Sequence, residues 1–348
     1  MVKEKKPLKY TRKKKFSLLA NRIKDMTRAY SNKDISFFDM TKSPLYTKHT
    51  IKMANGDDKD IYLSNETFVK IVATNNSFLE YFYSLNSNTE KERELDFDKA
   101  IENITKLNNK YGVNKAIITG GEPIQYTRIN DFIKELNKTC NMDYIGVEFW
   151  NKAIRYQTRF NRMMNPKDGI DQVIITFDNG INYSLDALKG MYKSTKHINV
   201  NIKFTVVVHI YEENYDNLID LIQLLDKLTL IQMYCDEVIV TPIYLKDDYC
   251  VNNINSKELK KKILTKDTYD RLFKRLIGYY AHWYMTIRND NVYGYYSDVL
   301  IPTPVPIILR KKRTPNYLSD EKYYVNNINC LISGDLSLTC NEQGIFHI

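Results

Sequence analysis

Cysteine is scarce in this chain, and its scarcity excludes more than any single motif does. There are five among 348 residues, at positions 140, 235, 250, 330 and 340. The number is odd and the positions are mostly scattered, which argues against a disulfide framework and for a reducing cytosol. Histidine is equally rare, with five, and no His/Cys spacing forms a zinc site. No Ser-His-Asp arrangement and no phosphate loop is present. No apolar run approaches the roughly 18–20 residues that span a bilayer. The charged N-terminus lacks the apolar segment of a secretory signal. These absences predict a cytoplasmic protein without a membrane segment. What is present, 43% hydrophobic and 27% charged residues, suits a globular chain with a sizeable core, as one large domain or two small ones.

Positive charge is abundant but confined. Residues 1–33 carry 12 Lys/Arg against Glu4 and Asp25, while the rest of the chain has 39 basic and 40 acidic residues. The densest part, "KEKKPLKYTRKKK", includes Lys9, Arg12, Lys13, Lys14 and Lys15. Such a run suits phosphate contacts, because each neutralised phosphate releases counterions. A solvated tail that only solubilises has the same composition, so both readings stay open. Behind it Phe16, Leu19, Ile23 and Met26 recur at helical spacing, with Arg22, Lys24 and Arg28 between them. That pattern predicts an amphipathic helix with a basic outer face. Tyrosine is also abundant, with 27. With the many Lys, Asn and Ile it fits an AT-rich genome such as a phage's.

From residue 68 to about 288, short apolar runs alternate with helical patterns. Strands are predicted at 68–73, 115–119, 144–149, 172–177, 202–209 and 237–243. They are rich in Val, Ile and Thr and nearly continuous in apolar residues, as buried parallel strands are. Helices are predicted at 97–111, 128–138, from an N-cap near Ser184, at about 214–229, and through Leu272–Ile277. Six β-α units in series predict an open sheet or a full or partial barrel, with chemistry at the C-terminal ends of the strands.

Two loops fall at such ends. "IITGGEPIQY" follows the second predicted strand: Gly120 and Gly121 permit a tight turn, Glu122 presents a carboxylate, and Pro123 stiffens the exit. Gly-Gly-Glu-Pro at this place in a β-α series resembles the radical SAM superfamily. "VIITFDNGINYSLDALKG" is similar to that family's fourth strand, "IKFTVVVHIYEENYDNLIDLIQLLDKL" to its fifth strand and following helix, and "VIVTPIY" to its sixth. The match covers roughly residues 68–245. It implies a partial (β/α)6 TIM-like barrel. It also implies that Gly120, Gly121, Glu122 and Pro123 face the amino group of S-adenosylmethionine, and that Asp178 reaches a ribose. For Asp178 a turn cap with Asn179 and Gly180 is the competing reading.

The second loop, "TNNSFLEYFYS" at 74–84, sits where the family places Cys-x3-Cys-x2-Cys. Thr74, Asn75, Leu79 and Tyr83 coincide with non-ligand positions of that loop, and the three cysteine positions fall on Ser77, Tyr81 and Ser84. Iron–sulfur clusters are held by thiolates. A serine hydroxyl stays protonated near neutral pH, and a phenol with a pKa of about 10 is little better. No 4Fe–4S cluster is therefore expected, and reductive radical chemistry is expected to be absent. S-adenosylmethionine is the one cofactor that the resemblance leaves open.

The remaining signals are weaker. His209 ends a predicted strand on the expected active face, where a structural histidine is the simpler reading. "NCLISGDLSLTCNEQG" predicts a hairpin about Gly334-Asp335 and is similar to the start of the auxiliary-cluster extension of some radical SAM enzymes, with only Cys330 and Cys340 as thiols. A two-residue turn there would pair Cys330 with Thr339, and a three-residue turn would set the two cysteines opposite each other. "PTPVPIILRKKR", 302–313, predicts an extended connector. The organisation expected is a basic arm with an amphipathic helix (1–33), a connector (34–66), a radical SAM-like core (67–290) and a C-terminal extension (291–348). The function expected is a catalytically degenerate binding or scaffold subunit whose arm meets nucleic acid or an acidic partner protein. The alternatives are a non-radical enzyme that keeps S-adenosylmethionine or a nucleotide, and a nucleic-acid-binding protein on an unrelated α/β fold.

Overall fold

A computed structural model describes residues 46–76, 93–150, 157–164, 169–178, 185–210, 218–242, 266–280, 285–288, 291–296, 305–310, 317–319, 322–339 and 342–348. The basic residues Lys9, Arg12, Lys13, Lys14, Lys15 and Arg22 lie outside them, as do Ser77, Tyr81 and Ser84. Ser184, Cys250 and Cys340 also lie outside.

The central unit is β2 (Asp58–Val72), α1 (Phe97–Tyr111), β3 (Lys115–Thr119), α2 (Ile129–Lys138), β4 (Tyr144–Trp150), α3 (Gln157–Met163), β5 (Gln172–Asp178), α4 (Leu185–Ile198), β6 (Lys203–Ile210), α5 (Leu218–Gln232) and β7 (Glu237–Pro242). The six strands are parallel and adjacent in chain order. Sequence pattern sets the helices. In α1, Ala100, Ile101, Ile104 and Leu107 fall on one buried face. The Asp96 carboxylate accepts from the Lys99 amide at 3.2 Å and caps its start. Gly112, at φ 68°, ends it with its amide on the Asn108 carbonyl.

An unreversed strand order with right-handed crossovers puts every helix on the same side of the sheet. The core follows that rule. Val69, Ile71, Ala116, Ile118, Val147, Phe149, Val173, Ile175, Val206, Val208, Val238 and Val240 face one way and join helix residues such as Ile104, Phe132, Ile133, Met191 and Leu228 in one cluster. The opposite face carries a separate small cluster, Ile174, Val207 and Ile239, with Ile117 packed against it.

The sheet extends beyond the six strands. β1 (Tyr46–Met53) pairs antiparallel with β2, so the segment expected as a connector, 34–66, is strand from Tyr46 onward apart from the turn 54–57. β10 (Val305–Arg310) pairs parallel with β7, so "VPIILR" is a strand and not a connector. Its other side pairs antiparallel with β9 (Asn291–Tyr296), which pairs with β8 (Met285–Arg288). At the far edge β12 (Lys322–Cys330) lies parallel to β2 and carries β11 (Tyr317–Ser319) on its outside. The sheet runs β11-β12-β2-β3-β4-β5-β6-β7-β10-β9-β8 and is not closed by pairing among the described residues. Among the described residues the remaining α-helix is α6 (Lys266–Tyr280). No helix among the described residues is long and apolar enough to cross a membrane.

The hairpin about Gly334 differs from both turns expected. β12 pairs with β13 (Leu336–Ser337) in the register Cys330↔Leu336, leaving a five-residue turn, 331–335. The reason lies in packing. The turn docks on the start of α1: the Asp96 amide donates to the Ile332 carbonyl, Asn103 donates to the Gly334 carbonyl, and Lys99 pairs with Asp335 at 2.8 Å.

Candidate functional site

The first residues of the second loop, 74–76, meet the Gly-Gly-Glu-Pro turn at the C-terminal ends of β2 and β3. The ladder between these strands continues past them. Ala73 donates its amide to the Thr119 carbonyl, Gly121 to Thr74 (2.6 Å) and Glu122 to Asn76 (2.6 Å). The glycines make this approach feasible. A Cβ on Gly120, at φ 139°, would lie 2.5 Å from the Thr74 carbonyl oxygen, and one on Gly121 would lie 2.0 Å from that of Asn76. Both glycines are therefore required by the chain's own backbone. Glu122 is fully buried, and Pro123 opens a single 3-10 turn, Pro123–Gln125.

Thr74 and Asn75 build the stem of the excursion that starts at Ser77. Thr74 Oγ1 donates to the Arg93 carbonyl and accepts from the Asn76 amide. Asn75 accepts from the Arg93 amide at 2.6 Å. Glu94 then holds Thr127, beyond the Gly-Gly-Glu-Pro turn, by its amide and hydroxyl. The stem, 74–76 with 93–95, is thus tied to the turn on both sides. These framing residues act as loop architecture, which the residue pattern alone did not disclose.

Asp178 ends β5, opposite His209 of β6 in register. His209 is buried. Residues that sequence reasoning passed over complete the same layer. Glu148 of β4 accepts from Thr119 (3.0 Å) and Thr176 (3.2 Å), and Lys70 of β2 stands 3.5 Å away. Burial pushes the Glu148 carboxyl up, but Lys70, His209 and the two threonine hydroxyls together outweigh it and hold the group at about 2. Thr241 of β7 pairs with His209 in register and is buried. The signal for these residues was in the strands: single polar residues such as the Glu of "YIGVEFW" and the Thr of "QVIITFD" interrupt apolar runs at alternate positions.

The opposite, N-terminal end of the same face carries a second polar chain across four strands. Tyr144 donates to Gln172, Gln172 to Thr205, Thr205 to Glu237, and Lys203 pairs with Glu237 at 2.8 Å. The face is therefore layered: polar, then aliphatic, then polar.

The thiols described do not fit a cluster here. Cys140 contacts Thr105 and the Ile101 carbonyl, Cys235 contacts the Ile231 carbonyl, and Cys330 sits beside Ile71 in the helix-covered core. All three are buried, and burial pushes each thiol up and keeps it protonated. The stretch from Ser77 to Arg93 contains no cysteine at all. Beyond its amides, the turn's polar atoms are carbonyls and the buried Glu122 carboxylate, all hydrogen-bond acceptors, and the carbonyls of Glu122 and Pro123 accept from Gln125 and Tyr126. No group of three or more His, Cys, Asp or Glu able to hold a metal occurs among the described residues.

No protein-family model matches the sequence, and no curated protein aligns with it. Among solved structures the chain is similar to Streptococcus suis SuiB, at 14% identity and a TM-score of 0.42, over 64% of this chain and 48% of that one. A second SuiB structure, bound to S-adenosylmethionine, matches at 12% and 0.39, over 67% and 60%. BtrN in complex with AdoMet and 2-DOIA matches at 14% and 0.31, over 46% and 62%. The chain thus spans about half the length of the SuiB chain. Likeness at this level assigns neither a family nor an activity, and what the chain shares with its own sequence expectations is a mixed α/β fold built on an in-order parallel sheet.

Proposed function

We propose that this chain is a radical SAM-like (β/α)6 protein that holds no iron–sulfur cluster and acts by binding, as an accessory or scaffold subunit. The observation that carries this reading is the junction of the two loops. Gly121 and Glu122 are bonded to Thr74 and Asn76, the first residues of the second loop. The resemblance implies a cluster loop after the first strand, and in the sequence that stretch carries the hydroxyls of Ser77, Tyr81 and Ser84 at the positions where it implies thiolates.

Chain length supports a curved, barrel-like sheet. β10 and β11 stand eight strand spacings apart in the sheet order, about 38 Å if the sheet were flat. Arg310 and Tyr317 are joined by seven peptide links, a reach of about 25 Å at most. A flat sheet cannot satisfy that link; a sheet curling its two edges towards each other does. The basic residues of the arm, 1–33, supply contact to nucleic acid or an acidic partner in this reading.

The test is anaerobic reconstitution with iron and sulfide. The protein is expected to emerge without cluster absorbance and to form no 5′-deoxyadenosine from S-adenosylmethionine under reduction. Stoichiometric iron with 5′-deoxyadenosine would overturn the reading. The acceptor-rich turn and the polar strand-end layer favour one alternative, a non-radical enzyme that still binds S-adenosylmethionine. Calorimetry separates the two: micromolar binding that is lost in Glu122→Gln supports the enzyme, and no binding at millimolar ligand supports the scaffold.

A further inference from the structure

At one edge of the sheet β1, β2, β12 and β11 lie side by side. Their residues divide by face. Ile51, Ile61, Leu63 and Val325 belong to the main core. The alternate residues build a different surface. Lys48 pairs with Tyr62, Tyr62 with Tyr324 and Tyr324 with Tyr317, one row of register across four strands. Tyr46 meets Tyr324 edge-to-face with centroids 4.8 Å apart, and Tyr62 lies 5.4 Å from Tyr324 at 37°. Tyr46 donates to Asn326 at 2.7 Å, which fixes its ring. Tyr46, Tyr62 and Tyr324 are half-buried, and Lys48, Thr50, Asp60 and Lys322 beside them are exposed.

The charge around these rings selects a partner. Lys48 is held by Asp60 at 2.6 Å and balances it. Lys322 Nζ stands 5.7 Å from the centroid of the Tyr62 ring, a cation beside the aromatic row. Two basic stretches of the sequence join the chain here. The arm, with 12 Lys/Arg in residues 1–33, leads to Tyr46. The run Arg-Lys-Lys-Arg at 310–313 ends four peptide links before Tyr317, a reach of about 14 Å at most. A polyanion that also offers flat rings matches both features. In single-stranded nucleic acid the bases stack on aromatic side chains whatever their identity, and the phosphates meet Lys and Arg. A duplex keeps its base faces within its own stack, and an acidic peptide supplies charge without bases.

We propose that the sheet face carrying Tyr46, Tyr62 and Tyr324 binds single-stranded nucleic acid, with bases stacked on the tyrosines and Lys322 on a phosphate. The inference rests on the binding role proposed above, for which it names a partner and a surface, and not on the absence of a cluster.

Fluorescence anisotropy on the full chain tests it, with labelled oligothymidylate, a duplex of equal length and polyglutamate as probes. Oligothymidylate is expected to bind about tenfold tighter than either control, the value of one or two stacked bases. Tyr62→Leu and Tyr324→Leu should each weaken that binding about tenfold, and Tyr62→Phe should keep it. Lys322→Ala should lower the salt dependence by about one phosphate contact. Photocrosslinking of 5-iodouracil oligomers to the unsubstituted chain gives a readout that no folding defect affects, and cross-links are expected at Tyr46, Tyr62 or Tyr324. The proposal fails if no oligomer binds, if duplex binds as tightly as single strand, if both leucine variants bind as the unsubstituted chain does, or if cross-links form only elsewhere. None of these failures bears on the cluster, which iron and sulfide reconstitution tests separately.

Discussion

The two faces of the central sheet obey different rules although they belong to the same strands. The helix-covered face is aliphatic and aromatic from β2 to β7 and joins a core that takes in six strands and their helices. Among the described residues, the other face carries a small aliphatic layer between two hydrogen-bonded polar ones. Neighbouring residues therefore serve different ends: Ile175 builds the fold, and Thr176 holds Glu148 in place. The contrast locates chemistry without reference to any motif, because polar groups are buried only where hydrogen bonds or a ligand compensate them.

Breaking the helix-side face should cost the most. Phe149, fully buried and packed edge-to-face on Phe160 with centroids 5.4 Å apart, is expected to cost about 3–5 kcal/mol on Phe149→Ala by denaturant unfolding. Gly121→Ala comes next. Its methyl would collide with the Asn76 backbone, and a loss of about 3 kcal/mol is expected, with stem and turn separated; Asn75→Ala, which removes the acceptor of the Arg93 amide, should cost less. A change below about 1 kcal/mol for Gly121→Ala would show that the stem and turn are not in contact.

Acid unfolding sharpens the contrast further. Glu148 is held at about 2 against an ordinary 4.5. Its folded value is depressed, so its contribution is complete above pH 4.5 and is lost as pH falls towards 2, up to about 3 kcal/mol. Glu148→Gln should flatten the stability curve in that window, and an unchanged acid limb would remove the Lys70–Glu148–His209 layer from the account. The smallest effect compares adjacent isoleucines. Ile175→Ala should cost about 2–5 kcal/mol, and Ile174→Ala, in the small separate cluster, about 2 or less. Equal losses would mean that both faces are core.

Much of the fold was legible where the information is local. The strand at 115–119 and the helix at 97–111 have the bounds read from their residues, and Gly112 is the left-handed cap that its place past the helix suggested. What escaped was non-local or disguised. β12 pairs with β2 across more than 250 residues, a partnership that no window reveals. Prolines concealed β10, which carries Pro306 although it is paired on both sides, with β7 and with β9. β1 and the first half of β2 alternate lysines, aspartates and tyrosines with Ile51, Ile61 and Leu63, a half-buried pattern that reads as a polar connector. In the site, Gly120, Gly121, Glu122 and Pro123 were legible as a turn, but the reason for the glycines, contact with Thr74–Asn76, needed the structure. Glu148, Lys70 and Thr241 were hidden as single polar residues in strands read as apolar.

The claim that this is a radical SAM-like arrangement with its cluster ligands replaced is tested most directly by restoring them. The triple substitution Ser77→Cys, Tyr81→Cys, Ser84→Cys should be reconstituted anaerobically with iron and sulfide beside the unsubstituted chain, and iron and sulfide counted per chain. The account predicts close to four of each in the triple variant and none in the unsubstituted chain. A cluster in the unsubstituted chain, or none in either, would contradict it.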